Sequence, residues 1–248
     1  MSLRPAGGRD GHDRTGLAVV ATTREVLDRP ELHEGLLAPW ERRRLAGIRL
    51  PARRDDVTAA RLLARLCVAR FTGLAWDESV PDQLCPTCGR HGHGRPYLRG
   101  HPGVGISLSH ADGVVAAAVG PGAIGIDVEP STRRPGPLRV LRRLLPEADL
   151  REATARPDPG PELLRLWVRA EARLKAGRND LTLLEWTDHD RTAVAAVAAT
   201  APTTIAPLPP SSAPALSAPA LSEPASSAPA LSAPALSEPA SSAPRTRS

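Results

Sequence analysis

Two short stretches concentrate the side chains whose types and spacing could do chemistry. AIGIDVEP sets Asp127 and Glu129 two residues apart, and LWVRAEARLKAGR sets Glu171 and Lys175 four apart. On a strand over 123–129 the side chains alternate, so both acids of the first stretch point to one face. Two adjacent carboxylates repel unless a cation or a basic group lies between them. Such oxygen ligands suit magnesium, which takes one or two carboxylates, waters and phosphate oxygens. The competing reading is an acidic strand edge facing solvent and neutralised by nearby arginines.

On a helix over 161–176, Glu171 and Lys175 share a face. They make either an ordinary ion pair or a phosphate site, in which Glu171 is a third carboxylate and Lys175 holds an anion beside the metal. Lys175 is the only lysine, and every other basic side chain among the 32 is arginine. Arginine presents a planar fork, whereas lysine is a compact point charge suited to a narrow phosphate site. Trp167, one turn before Glu171, is expected to anchor that end of the helix in the core.

The elements that must position these residues follow from composition and patterning. The chain has 248 residues, a net charge of +5 and a pI of about 10.0. That length allows one ordinary domain or two small ones. The basic balance suits an anionic partner: nucleic acid, a phosphate-rich cofactor or an acidic protein. No apolar run is long enough to span a bilayer, and MSLRPAGGRDGHDRTG lacks a hydrophobic segment of signal type. With three cysteines, an odd number, the expectation is a cytoplasmic protein with reduced thiols. From Ser211 the chain reads SSAPALSAPALSEPA, repeats it from Ser226 and begins again at Ser241. Such a segment cannot bury a core, so 201–248 is expected to be a disordered low-complexity tail and 1–16 a disordered N-terminus.

Between them, LAVVAT reads as a buried strand. Pro39–Gly47 and Asp55–Thr72 carry helical periodicity. VGISLSH, GVVAAAVG and AIGIDVE follow in quick succession and predict an antiparallel meander. Pro137–Leu145 is a short helix and Pro161–Ala176 a stronger one, closed by Gly177 as C-cap. LTLLEW and TAVAAVAA close the domain as a hairpin. The fold class is α+β.

GIDVEP followed by WVRAEARLKA resembles the paired signature of the 4′-phosphopantetheinyl transferases, G-[IV]-D-x-E and W-x-x-K-E-x-x-x-K. CPTCGRHGHGRPYL resembles the C-x-x-C-G…H-G-[KR]-P-x-L segment of the actinobacterial, Sfp-type branch, and ISLSHADG its S-[IL]-S-H-[ST]-x-[GD] strand. The resemblance covers about 39–199. It implies two similar α/β subdomains in a pseudo-twofold arrangement, 17–130 and a short 131–200, with coenzyme A in the cleft between them. It implies transfer of the 4′-phosphopantetheine arm of coenzyme A to a serine of an apo acyl or peptidyl carrier protein, as in secondary metabolism, releasing 3′,5′-ADP.

By matching positions, Asp127, Glu129 and Glu171 would hold Mg²⁺, Lys175 would contact the phosphates, and Glu171 would be the base. Arg95, Ser109 and His110 would lie along the nucleotide, with Arg49, Arg53 and Arg54 as further phosphate contacts. The implied protein is a monomer with no membrane or nucleic-acid partner. Three departures stand out. The family's lysine before the glutamate is Ala170, the S-H-[ST] position is Ala111, and Asp55 and Asp56 fall where relatives often have aspartate and arginine. A degenerate, inactive transferase is therefore one alternative. The other is a basic nucleic-acid-binding module built on a zinc knuckle from Cys85, Cys88, His91 and His93.

Overall fold

The computed structural model describes residues 14–211, which fold as mixed α and β structure with two sheets and six helices. Strand β1 (Gly16–Thr22) runs into helix α1 (Thr23–Leu27). Thr22 and Glu25 form a reciprocal capping box that closes the junction at 3.0 and 2.7 Å. Helix α2 (Pro39–Ala46) precedes the long α3 (Pro51–Thr72), which ends on Gly73 at φ +75°. The α3 helix begins a turn earlier than its apolar periodicity implied, because Pro51 occupies the first turn, where the missing N–H costs nothing.

Strands β2 (Val104–Ala111) and β3 (Val114–Pro121) form a hairpin, and β1 pairs antiparallel with the other edge of β3. Strand β4 (Ile124–Pro130) begins the second sheet, followed by helices α4 (Leu138–Leu141), α5 (Glu147–Thr154) and α6 (Gly160–Ala176). Strands β5 (Thr182–Asp188) and β6 (Ala193–Ala199) complete that sheet in the order β4-β6-β5. Both sheets thus arise from a strand–helix–strand–strand run, β1-α3-β2-β3 and β4-α6-β5-β6. In each, the last strand lies in the middle, antiparallel to both neighbours.

The layers run α3, first sheet, second sheet, α6. Val115, Ala117 and Val119 of β3 face Leu62 and Leu63 of α3. Ala116 and Ala118 face across to Ile124, Ile126 and Val128 of β4, joined by Ala195 and Val197 of β6. On the outer face, Val194, Ala196 and Ala198 of β6 meet Leu164, Val168 and Ala172 of α6. Alanine at so many central-strand positions lets four layers stack closely. Burying these side chains contributes about 25 cal/mol per Å² of apolar surface removed from water.

Three expectations from sequence change. The meander stops at two strands: β4 pairs with β6, because both edges of β3 are already occupied by β2 and β1. β4 therefore hydrogen-bonds in the second sheet, although a boundary at 130 groups it with the N-terminal part. The helix over 137–145 shortens to α4, and α5 follows it after Pro146. Finally, β7 (Thr203–Ile205) pairs parallel with β1, so residues 201–211 pack on the first sheet instead of starting a tail. The repeats beyond Ser211 and residues 1–13 lie outside the described residues.

Gly125 sets the distance between α6 and β4. A Cβ there would lie 2.1 Å from the Ala172 carbonyl oxygen and 2.4 Å from the Ala176 amide nitrogen, both backbone atoms that cannot swing away. Gly125→Ala should lower unfolding stability in urea by about 3 kcal/mol or more. Gly136→Ala, which meets nothing within 4 Å, should leave the midpoint nearly unchanged.

Candidate functional site

Gly125, Asp127 and Glu129 alternate onto the face of β4 that α6 covers, so the close approach at Gly125 presses α6 against the two acids. Asp127 and Glu129 are 5% and 6% exposed. Lys175 reaches from the last turn of α6 and donates to Asp127 Oδ1 at 2.7 Å and to Ser109 Oγ at 2.8 Å. Ser109 in turn donates to Asp127 Oδ1 at 2.7 Å. Three side chains from β2, β4 and α6 thus close one compact triangle. Ser107 accepts the Ile126 amide at 3.0 Å, which stitches the edge of β2 to the edge of β4. Of the two serines, Ser107 serves the backbone and Ser109 serves the site.

The acids strain against one another. Asp127 Oδ2 is buried and has no hydrogen-bond partner. Burial, and then the charge of Asp127, push the Glu129 carboxyl up to about 7, against the pull of Arg133, whose Nη1 donates to Glu129 Oε2 at 2.8 Å. Glu171 is raised as well, by burial first and Asp127 second, with Lys175 opposing. An orphaned buried oxygen between carboxylates that resist ionisation is a donor set that fits a divalent cation. Among the described residues, Asp127, Glu129 and Glu171 are not a set of ligand atoms already gathered for a metal ion. Lys175 binds Asp127 and Arg133 binds Glu129, so an ion shared by the acids would take over oxygens these two groups now hold.

A cleft of about 590 Å³ opens beside this triangle. Arg53, Arg95, Ser109, His110, Asp127 and Lys175 all line it. Arg44 and Arg61 line it too, although sequence reasoning assigned them no role. They belonged to visible arginine clusters, and nothing in their spacing separated a cleft arginine from a solvated one. Arg61 is held by Glu41 at 2.7 Å and lies over the Trp40 ring at 4.7 Å. Arg95 packs on Gly177, whose φ of +70° and lack of a side chain admit the guanidinium at the carbonyl end of α6. Burial, the leading cause, draws the His110 imidazole below its usual range, so it sits neutral beside the arginines.

Other candidates fall elsewhere. Arg49 is exposed and is not among the residues lining the cleft. Arg54 is taken up by Glu34 at 2.6 and 2.8 Å. Asp56 accepts from Thr23 and from the Gly113 amide, tying α3 to the β2–β3 turn. Glu171 lines a second hollow, of about 670 Å³, across the exposed Leu174 from Lys175. Ala170 packs against the α4–α5–α6 cluster, and Arg169 is bound to Glu185. Trp167 bridges the two clusters that flank α6, the anchor its spacing implied. Of the knuckle residues, Cys85, Cys88 and His93 come together, whereas His91 bonds Asp82 and stacks on Trp40. Cys67 is buried and its thiol is pushed up to about 12, which leaves it unreactive. Among the described residues, no helix is long and apolar enough to cross a membrane.

The raised Glu129 carboxyl has a measurable consequence. A folded-state pKa of about 7 against 4.5 means that the folded form binds this proton more tightly. Its stabilisation is complete below 4.5 and is lost as pH rises through 7. In buffer free of divalent ions, Glu129→Gln should therefore raise Tm at about pH 8 and leave it little changed at about pH 4. A variant that melts below wild type at the higher pH would contradict the assignment.

The comparison with known families bears on the part of the chain that holds these acids. No curated protein matches the chain. Residues 123–214, which carry β4, α6 and the whole second sheet, match the family model described as ACPS, the 4′-phosphopantetheinyl transferase superfamily.

Proposed function

We propose that the protein is a phosphopantetheinyl transferase of the Sfp type. It would move the 4′-phosphopantetheine arm of coenzyme A to a serine hydroxyl of an apo carrier protein and release 3′,5′-ADP. The observation that carries this reading is the Ser109–Asp127–Lys175 triangle, set between two raised glutamates at the edge of an arginine-lined cleft. The superfamily match over the same strand and helix supports it. The repeated strand–helix–strand–strand connectivity supports two halves in pseudo-twofold relation.

Each residue then has a task its environment explains. Arg44, Arg53, Arg61 and Arg95 supply positive charge along the cleft for the pyrophosphate and 3′-phosphate, and neutral His110 offers a hydrogen bond there. Asp127, Glu129 and Glu171 would hold a divalent ion, which we take to be Mg²⁺. When bound, that ion would offset negative charge on the pyrophosphate. Lys175 presents a slender ammonium able to shift from Asp127 to a phosphate oxygen, a movement that a planar guanidinium in the same space could not make.

Glu171, raised by burial and by Asp127, is a better proton acceptor than an ordinary surface carboxylate. It would take the proton of the carrier serine as the serine oxygen bonds to the phosphorus bearing the pantetheine arm. The bond from that phosphorus to the bridging oxygen breaks, and the electron pair leaves with 3′,5′-ADP. Leu144 and Leu174, exposed among Arg143, Arg169 and Arg173 around the Glu171 hollow, suit an acidic carrier with an apolar contact strip.

Incubation with coenzyme A, Mg²⁺ and a panel of apo carriers, followed by mass spectrometry, tests the reading through the mass of the added arm. Wild type should load at least one carrier; no loading of any carrier would overturn it. Glu171→Gln should reduce turnover by about a hundredfold or more. Lys175→Arg should keep the fold but lower kcat by at least tenfold. Wild-type rates in Lys175→Arg would return the lysine to an ordinary ion pair.

A further inference from the structure

The hairpin between α3 and β2 carries a feature that the transferase reading does not use. Cys85, Cys88 and His93 bring two sulfurs and a ring nitrogen within 4.8 Å of one another, with Cys88 Sγ 3.1 Å from His93 Nε2. None of the cysteines is in a disulfide. We infer that these three side chains form a zinc site that cross-links the hairpin where it forms a wall of the cleft.

Local backbone builds the site. CPTCG turns tightly: the Gly89 amide bonds the Cys85 carbonyl at 2.9 Å, and Gly89 takes φ +67°. The chain then returns in register. The Cys85 amide bonds the Arg90 carbonyl at 3.0 Å, and the Gly92 amide bonds the Gln83 carbonyl at 2.9 Å. Gly94 passes so near Cys85 that a Cβ would lie 3.3 Å from the Cys85 Cα. That return swings His93 back over the two thiols.

Zinc bonds of about 2.3 Å to sulfur and 2.0–2.1 Å to nitrogen hold tetrahedral ligands about 3.5–3.8 Å apart, so small side-chain rotations complete the set. Two thiols and an imidazole are soft ligands that suit zinc over magnesium or calcium. His91 stands outside this group, with its Nδ1 3.1 Å from Asp82 Oδ1 and its ring stacked on Trp40 at 5.4 Å. Cys88 and His93 are exposed, which leaves the fourth position to water.

The site has a structural reach. The same hairpin supplies Gly92, Gly94 and Arg95 to the cleft, and Arg44 donates to the Gly92 carbonyl. Metal binding would stiffen this wall and, with it, the seat of Arg95 on Gly177. The zinc site does not depend on the proposed transfer reaction; its effect on coenzyme A does.

The test is metal content by mass spectrometry on tag-free protein, purified under reducing conditions and reconstituted with zinc, with cobalt substitution as a second readout. Wild type and His91→Gln should each hold one zinc per chain. Cys85→Ser, Cys88→Ser and His93→Gln should each lose most of it while keeping wild-type circular dichroism. Cobalt-loaded wild type should show thiolate-to-metal charge-transfer absorption, and each serine variant about half of it per cobalt bound, one of two thiolates being gone. Wild type without zinc, a Cys85–Cys88 disulfide surviving reduction, or zinc kept by His93→Gln but lost by His91→Gln would each overturn the inference. If carriers load, zinc removal should raise KM for coenzyme A several-fold with kcat nearly unchanged, and an unchanged KM would sever the link to the cleft. If no carrier loads, the metal measurements still decide the site.

Discussion

The backbone of α6 lies almost in contact with β4, and most of the site follows from that proximity. Only glycine at position 125 leaves room for the Ala172 carbonyl and the Ala176 amide. One residue pair along the strand, the same face carries Asp127, and one turn of helix away stands Lys175. Had the helix ridden higher on a larger side chain, an ammonium on a four-carbon stem would miss both Asp127 and Ser109. Small residues elsewhere serve the same end: the alanines of β6 lower α6 onto the sheet, and those of β3 and β6 let the two sheets meet face to face. The geometry of the site is a consequence of packing.

Charge placement is the second constraint. Three carboxylates share a partly dry region with one lysine and one arginine, a deficit of positive charge that adds to burial, the larger cause, in raising Glu129 and Glu171. Natural folds seldom keep such a deficit without a ligand to relieve it. The surplus of cations lies a few residues away, in the arginines that line the cleft. On the proposed reading, the carboxylates would hold a metal on one side and the arginines would hold phosphates on the other.

The wall of the cleft formed by 82–97 has little regular structure and relies on side-chain bonds. Asp82 is its hub: it accepts from Arg99 at 2.6 Å, from the Tyr97 hydroxyl at 3.1 Å and from its neighbour's amide at 2.8 Å, with His91 beside it. Arg61, clamped between Glu41 and Trp40, backs this hub from α3. Such a loop has few apolar contacts to hold it, which is why a metal link within the hairpin would matter.

The residue types and their spacing determined much by themselves. The elements whose pattern is local, β1, the β2–β3 hairpin, α3, α6 and the β5–β6 hairpin, were legible because periodicity, proline and glycine act over a few residues. So was the shared face of Asp127 and Glu129, since alternation along a strand needs no partner. What sequence could not decide was pairing between distant segments. β4 looked like the third strand of a meander, yet its edge is completed by β6, some seventy residues on; that choice depends on which edges other strands leave open. Residues 203–205 are β-branched but too short a run to read as a strand alone, and they form one by lying against β1. The same holds within the site. Arg54 and Arg53 are neighbours on one helix, but Glu34 captures the first while the second faces the cleft. Composition set which charges exist, and only the fold set which of them remain free to bind.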